Sequence, residues 1–433
     1  MSFKGTPQHG LLGATIAFFV GFAAVSLFGP TAKELRDLMG LTPTMVGFLV
    51  AMPSLSGSLL RIPFAAWVDT TGGRKPILIL LVTSVIGMGG LTVLVLLLYP
   101  DGVTASLFPL FLLLGVLSGC GIAIFSPGIG QVSYWFPQQR QGIALGTYAG
   151  IGNLAPGLFS LILPFALTAL GLPISYLLWL LLLVAGTALY YFIGRNAWYF
   201  QALAEGSNPE NARAVAQQEG QELFPAGSSR ESLLVSARVW KTWLLVAIYF
   251  TTFGGFIAMT AWLPTFWTSF FGVSAITAGI LTAAYSLSTS LVRVVGGSVC
   301  DRVGGEATAS VSLLIMLTGA LLMSFSHNLA LSMAAALIMA VGMGATNAAV
   351  FKLVAKEVPL AVGGASGWVG GLGAFGGFAI PPILSAFVRS KGETGYASGF
   401  SIYVVLALLS LAFAFALQRA HGEEKVPAVQ IAD

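Results

Sequence analysis

Apolar residues occur along this chain in long blocks, with polar residues gathered between them. Twelve stretches, roughly 10–29, 43–68, 76–99, 106–133, 141–169, 174–195, 241–267, 275–299, 307–326, 329–354, 361–388 and 397–418, are hydrophobic almost throughout. At 1.5 Å of rise per residue each is long enough to cross the roughly 30 Å hydrocarbon core of a bilayer as a helix. The pattern predicts an all-α integral membrane protein with twelve transmembrane helices. The one long polar interruption, 196–238, separates six spans from six, so the expected organisation is an N-terminal half over 1–195, a connector, and a C-terminal half over 239–433. The first stretch lacks a small-residue cleavage site after a short apolar core, and reads as a helix that is kept.

Charge gives the expected topology. Only 8% of the 433 residues are charged, against about 25% in an ordinary soluble domain. Of the twenty basic residues, thirteen fall in one alternating set of loops. Four, Lys33, Arg36, Arg389 and Lys391, fall in the other, and three, Arg61, Arg293 and Lys352, lie within spans. The positive-inside rule then places both termini and the connector in the cytoplasm, with the chain in the cell (inner) membrane. The net charge of +4 is spread thinly over many loops without interleaved aromatics, so nucleic acid is not an expected partner. Cys120 and Cys300, far apart and in or at the end of spans, form neither a disulfide framework nor a metal-ligand spacing. No cofactor is expected, and the chain is expected to work as a monomer in the lipid bilayer.

The chain repeats itself. "SLSGSLLRIPFAAWVDTTGG" from Ser54 and "SLSTSLVRVVGGSVCDRVGG" from Ser286 place a serine, an arginine and an aspartate at the same intervals, 232 residues apart. Each is the second span of its half, and a looser echo links "GTYAGIGNLAPG" from Gly146 with "GGASGWVGGLGAFGG" from Gly363 in the fifth spans. Duplicated six-helix halves are a common construction of secondary transporters, with the site near the midplane where the halves meet.

Arg61 and Arg293 are the residues hardest to explain by packing. A cation at the centre of a membrane helix costs about 2.5–3.5 kcal/mol on insertion scales. No carboxylate lies inside a span to neutralise either one, and the repeat carries both to equivalent depths. Two facing guanidiniums suit a small planar oxyanion such as nitrate, nitrite or a carboxylate, because parallel N–H donors match paired acceptor oxygens. Asn153, inside a glycine stripe, could reach a substrate oxygen. Tyr249 and Phe253, four apart, would form an aromatic wall, and Phe125 could supply the opposite wall.

Glycine supplies 53 of the 433 residues, and its excess collects in the fifth and eleventh spans, including Gly146, Gly150, Gly152, Gly367 and Gly371. Small residues at such spacings let helices approach and slide, which suits conformational switching. The loops "DTTGGRKP" and "DRVGGE" place Asp69 with Arg74, and Asp301 with Arg302, where ion pairs could latch one state of a two-state carrier.

These motifs together, "SLSGSLLR", "SLSTSLVR", "AGIGN" and "GWVGGLGAFGGF", resemble the nitrate/nitrite porter family of the major facilitator superfamily over essentially the whole chain. The resemblance implies alternating access, with nitrate or nitrite held between Arg61 and Arg293. It further implies hydrogen bonds from Asn153 and Tyr249, rings of Phe125 and Phe253 on the anion plane, and sliding of the fifth and eleventh helices. One departure is that Gly370 or a neighbouring glycine stands in the second motif where the first has Asn153.

Spans without a histidine or carboxylate favour nitrate/nitrite exchange over proton symport, since arginine does not release protons at physiological pH. Lys352 keeps symport open, because a buried lysine can lose its proton. The rival cargo is a small carboxylate such as formate or oxalate. A non-transporting anion sensor would call for a signalling domain larger than residues 196–238. A membrane enzyme would need a nucleophile, metal cluster or carboxylate pair within the spans, and none is apparent.

Overall fold

A computed structural model of the chain describes residues 3–137, 140–225, 229–358 and 362–424, and the side chains of all of these except 141, 142, 229, 232, 301, 355, 362, 363 and 421–424. The spanning helices are α1 (Pro7–Ser26), α2 (Pro43–Thr71), α3 (Arg74–Leu98), α4 (Ala105–Trp135), α5 and α6 within Ile143–Ile193, α7 (Trp240–Phe270), α8 (Ala275–Cys300), α9 (Gly305–Phe325), α10 (Leu329–Val354), α11 (Gly364–Lys391) and α12 (Thr394–Ala420). α5 and α6 form one continuous apolar stretch, and Gly171 divides it with φ 73°, ψ 172°, a conformation open mainly to glycine. Twelve spans in two six-helix halves result.

Local chemistry sets the helix starts. Thr6, Thr42, Ser274 and Asn328 accept hydrogen bonds from the backbone N–H three residues on, capping α1, α2, α8 and α10. Pro7 and Pro43 occupy the first turn, where the missing N–H leaves nothing unpaired. The sequence repeat is also present in the backbone. Gly72 (φ 75°, ψ 170°) and Gly304 (φ 91°, ψ 154°), 232 residues apart, close the two equivalent helices with the same positive-φ turn.

Odd-numbered helices begin at the face that carries the connector, here the terminal face, and even-numbered helices begin opposite it. Three short helices, Trp198–Ala204, Pro209–Gln218 and Ser229–Ala237, lie along the terminal face. They are fastened to both halves: Gln201 Nε2 donates to the Lys4 carbonyl at 2.8 Å, and Trp368 Nε1 of α11 donates to the Leu233 carbonyl at 3.0 Å.

The seams between halves are α2 against α11 and α5 against α8. Toward the face opposite the connector both are tight. A Cβ on Gly47 would lie 2.3 Å from Ser385 Oγ, and one on Gly279 would lie 2.5 Å from the Ser160 carbonyl oxygen. Toward the terminal face the α5–α8 seam loosens. Gly150 still meets Val294 at 3.9 Å, while Gly146 and Gly297 have nothing within 4 Å. The halves are thus wedged apart along one seam at one face.

Candidate anion site

The site forms where four helices depart from regular α geometry. α2 turns at Leu60, one residue before Arg61. α4 tightens to a 3-10 segment over Cys120–Ile124, ending at Phe125. α7 widens to a π-helical turn over Phe250–Gly254, beside Tyr249, and α5 is interrupted after Asn153. Such irregular turns free backbone carbonyls and re-aim side chains, and they recur at functional positions.

Arg61 is fully buried. Its Nε donates to the Gly57 carbonyl at 3.0 Å, Nη1 to the Gly370 carbonyl at 3.1 Å and Nη2 to the Ile122 carbonyl at 3.4 Å. Three carbonyl dipoles therefore replace the water that the guanidinium lost. Gly57 and Ile122 belong to the first half and Gly370 to the second, so this side chain ties the halves together at the site. Gly370, standing where the first motif has an asparagine, contributes its backbone oxygen and leaves room beside Ser126.

Arg293 enters from α8 and is half-buried, with Nη1 buried and unpartnered among the described residues. Both guanidinium carbons lie close to the same two rings. Arg61 is 4.9 Å from the Phe125 centroid and 5.2 Å from Phe253, and Arg293 is 5.8 and 5.4 Å away. The rings are 5.9 Å apart. A desolvated cation–π contact such as those of Arg61 is worth about 2 kcal/mol, and those of the half-buried Arg293 are worth less, so the aromatic walls hold the cations as well as flanking them.

Tyr249 stacks on Phe253 with centroids 4.8 Å apart and planes 10° from parallel, which is the wall expected from their spacing. The Tyr249 hydroxyl and Asn153 Oδ1 are buried without a hydrogen-bond partner among the described residues. Asn153 lies at the α5–α8 seam, where its carbonyl accepts from Ser290 Oγ at 3.0 Å, three residues from Arg293. The structure thus gathers Arg61, Arg293, Phe125, Phe253 and Tyr249 into one cluster and sets Asn153 at its edge.

Other candidates lie elsewhere. Lys352 Nζ donates to the Cys300 carbonyl at 2.6 Å, at the end of α8 where the helix dipole favours a cation. Asp69 accepts from the Tyr134 hydroxyl at 2.7 Å, and Arg74 Nη2 donates to the Tyr191 carbonyl at 2.9 Å, both within the first half. Arg302 is exposed, and the Asp301 side chain lies outside the described residues. Glu306 and Lys356 form an ion pair within the second half.

The glycines divide by what they meet. Gly371 lies against Ile62 across the α2–α11 seam, and Gly377 lies first against Ile257 of α7 and then against Ser54 across that seam. Gly373 and Gly376 instead admit Tyr249 and Gly254 of α7 in their own half, where the π turn needs the space. Gly152 faces Phe18 of α1, and Gly367 faces Leu233 of the connector. Helical spacing alone could not distinguish a seam glycine from one packing within a half.

Several parts of the site were invisible in the motifs. Ile122 was missed because a backbone carbonyl has no sequence signature beyond the neighbouring Gly119 and Gly121. Phe351, 6.0 Å from Arg293, looked like any aromatic in a span. Glu357, three residues past the span 329–354, is buried and lies 2.9 Å from Lys241 at the base of α7, with side-chain exposures of 1% and 8%.

Two six-helix halves around a pair of cations, joined by two seams of which one is tight at one face and loose at the other, define a two-half membrane carrier. The chain belongs to the Major Facilitator Superfamily, which it matches over residues 14–279 and again over 266–431. It is 26% identical over 411 residues to the probable nitrate transporter NarT of Staphylococcus epidermidis, covering 94% of this chain and 96% of that one. It is 28% identical over 426 residues to the probable nitrate/nitrite antiporter NarK1 of Thermus thermophilus, covering 92% and 88%. The solved structure of a D-xylose-proton symporter superposes with a TM-score of 0.74 at 13% identity, over 95% of this chain and 97% of that one, a likeness of fold alone.

Proposed function

We propose that this chain is a transporter, not an enzyme, and that it exchanges nitrate for nitrite across the inner membrane by alternating access. The observation that carries the reading is the pair of guanidiniums, Arg61 buried and Arg293 half-buried, each within 6 Å of both Phe125 and Phe253. The relatives named above as nitrate and nitrite transporters support the choice of cargo. A planar oxyanion lying between the two rings would accept from both arginines, with Tyr249 and Asn153 satisfying remaining oxygens. Arg61 uses one N–H each of Nε, Nη1 and Nη2 on carbonyls, so a second N–H on Nη1 and on Nη2 is left for cargo beside the tie to Gly370. The charge bias of the loops supports a cytoplasmic terminal face, and with it cytoplasmic termini and a cytoplasmic 196–238 connector between halves 1–195 and 239–433.

Exchange follows from the electrostatics of the centre. Without cargo two cations share one desolvated space, and closing the second seam around them is unfavourable. With an anion of either kind the pair is partly neutralised. Purified protein in liposomes tests this. External nitrate is expected to drive efflux of trapped nitrite at a rate independent of an imposed pH gradient. Failure with nitrate but efflux driven by formate or oxalate would exclude the nitrogen oxyanions, and nitrate uptake into nitrite-free liposomes driven by an acid exterior would replace exchange by symport.

The loose seam makes a separate prediction. In the alternate state α5 and α8 must close where Gly146 and Gly297 now face empty space. Gly146→Leu is expected to leave expression and thermal stability near wild type, because nothing lies within 4 Å, and to slow exchange about tenfold or more by obstructing closure. An exchange rate equal to wild type would remove Gly146 from the switching seam.

A further inference from the structure

On the face opposite the connector a small cleft spans the two halves. It is lined by Lys33 and Arg36 from the first half and by Trp262, Thr265, Ser269 and Tyr396 from the second, among others. The cleft is small and opens to the surroundings at its mouth. Three of its polar atoms, Trp262 Nε1, Thr265 Oγ1 and Ser269 Oγ, are buried with no hydrogen-bond partner among the described residues. Trp262 and Thr265 are only 1% and 4% exposed, so bulk water does not serve them freely. Buried donors without partners cost about 1–3 kcal/mol each, which makes three at one spot a strong requirement for an acceptor.

The charges of the short helix Ala32–Met39 are sorted to match. Lys33 and Arg36 are three apart and share the helix face that lines the cleft. Glu34 is turned aside, accepting from the Tyr99 hydroxyl at 2.9 Å. Asp37 contacts Arg36 at 3.2 Å, but that pair is 34% and 59% exposed and is the kind of surface contact worth little. An acceptor entering the cleft would meet two cations on one side and two hydroxyls and an indole N–H on the other.

We propose that this cleft is a second anion site, distinct from the central one, which takes a small oxyanion with three or four acceptor oxygens. Its position gives it an effect on transport. Lys33 and Arg36 belong to one half and Trp262, Thr265 and Ser269 to the other, and these must separate when this face opens. An anion bridging them favours the state in which this face is sealed, by its differential affinity for that state. Anion on the outside at high concentration therefore slows the return of the carrier to its outward-open state. The inference does not depend on which anion is the cargo.

The test uses the full chain in lipid nanodiscs, with sodium nitrate as probe against sodium gluconate at equal ionic strength. In Arg61→Ala/Arg293→Ala the central site is disabled, and nitrate is expected still to raise the midpoint of thermal unfolding. Adding Lys33→Gln/Arg36→Gln is expected to abolish that shift, and Thr265→Val to reduce it without any change of charge. No nitrate-specific shift in Arg61→Ala/Arg293→Ala overturns the second site, as does a shift that survives Lys33→Gln/Arg36→Gln. A wild-type response no larger than that of Arg61→Ala/Arg293→Ala would instead count against the central site, so the two failures are distinguishable. A second measurement needs no central substitution. In liposomes, wild-type exchange is expected to fall at external nitrate above saturation and Lys33→Gln/Arg36→Gln to stay at its plateau; a wild type that shows no fall, or a variant that falls equally, overturns the proposal.

Discussion

Arg61→Lys is expected to reduce nitrate/nitrite exchange by about a hundredfold or more while the protein still reaches the membrane and remains monodisperse. Charge is conserved, so loss of activity would report geometry. The guanidinium now divides its donors among the carbonyls of Gly57, Gly370 and Ile122, with its central carbon 4.9 and 5.2 Å from the centroids of Phe125 and Phe253. An ammonium has three donors on a point charge, and cannot at once satisfy carbonyls in three directions and present a paired edge to an oxyanion. Losing partners of a buried charged group costs about 2–5 kcal/mol, and each 1.4 kcal/mol is a factor of ten. Exchange and nitrate binding should fall together, since the same guanidinium serves both. Exchange in Arg61→Lys within a few-fold of wild type would refute the role given to Arg61.

Glu357→Leu is expected to be the most destabilising single change outside the anion site. The carboxylate and the Lys241 ammonium meet at 2.9 Å with side-chain exposures of 1% and 8%, joining the base of α7 to the end of the helix that contains α10. Removing one member leaves the other charge in a desolvated position, at about 3–5 kcal/mol. The double variant Lys241→Met/Glu357→Leu replaces the pair by apolar side chains of similar size and should recover most of that stability, because a buried pair is often no better than a well-packed apolar substitute. Thermal unfolding of the two variants in nanodiscs is the measurement. Equal stability of Glu357→Leu and wild type would show that the pair contributes nothing. The same variants bear on coupling. If Lys241→Met/Glu357→Leu keeps full exchange, this pair has a structural role only.

Much of the fold was legible because a bilayer imposes a strong rule. Backbone groups in hydrocarbon must bond within the segment, so a long apolar block has little choice but helix. The twelve spans, their division six and six, and the repeat that pairs Arg61 with Arg293 all follow from linear pattern. The sequence also marked Arg61 and Arg293 as candidates, since an arginine in such a block is costly enough to require a reason. Gly72 and Gly304 carry the repeat into the backbone itself.

Other features depended on distances between segments far apart in sequence. Nothing in the motif "GWVGGLGAFGGF" says that Gly371 faces α2 while Gly373 and Gly376 make room for α7, because both kinds of contact ask only for a missing side chain. Nor does composition reveal that a 3-10 turn in α4 aims the Ile122 carbonyl at Arg61, or that Gly370 supplies an acceptor through its backbone. Glu357 and Lys241 stand 116 positions apart near the ends of two spans, and only their mutual burial makes them a pair. The sequence by itself determined what must lie in the membrane and which charges needed an explanation, since burial in lipid acts on each segment alone. The tertiary structure decided which carbonyls, rings and glycines meet those charges and which seam stands open, since those depend on how helices cross.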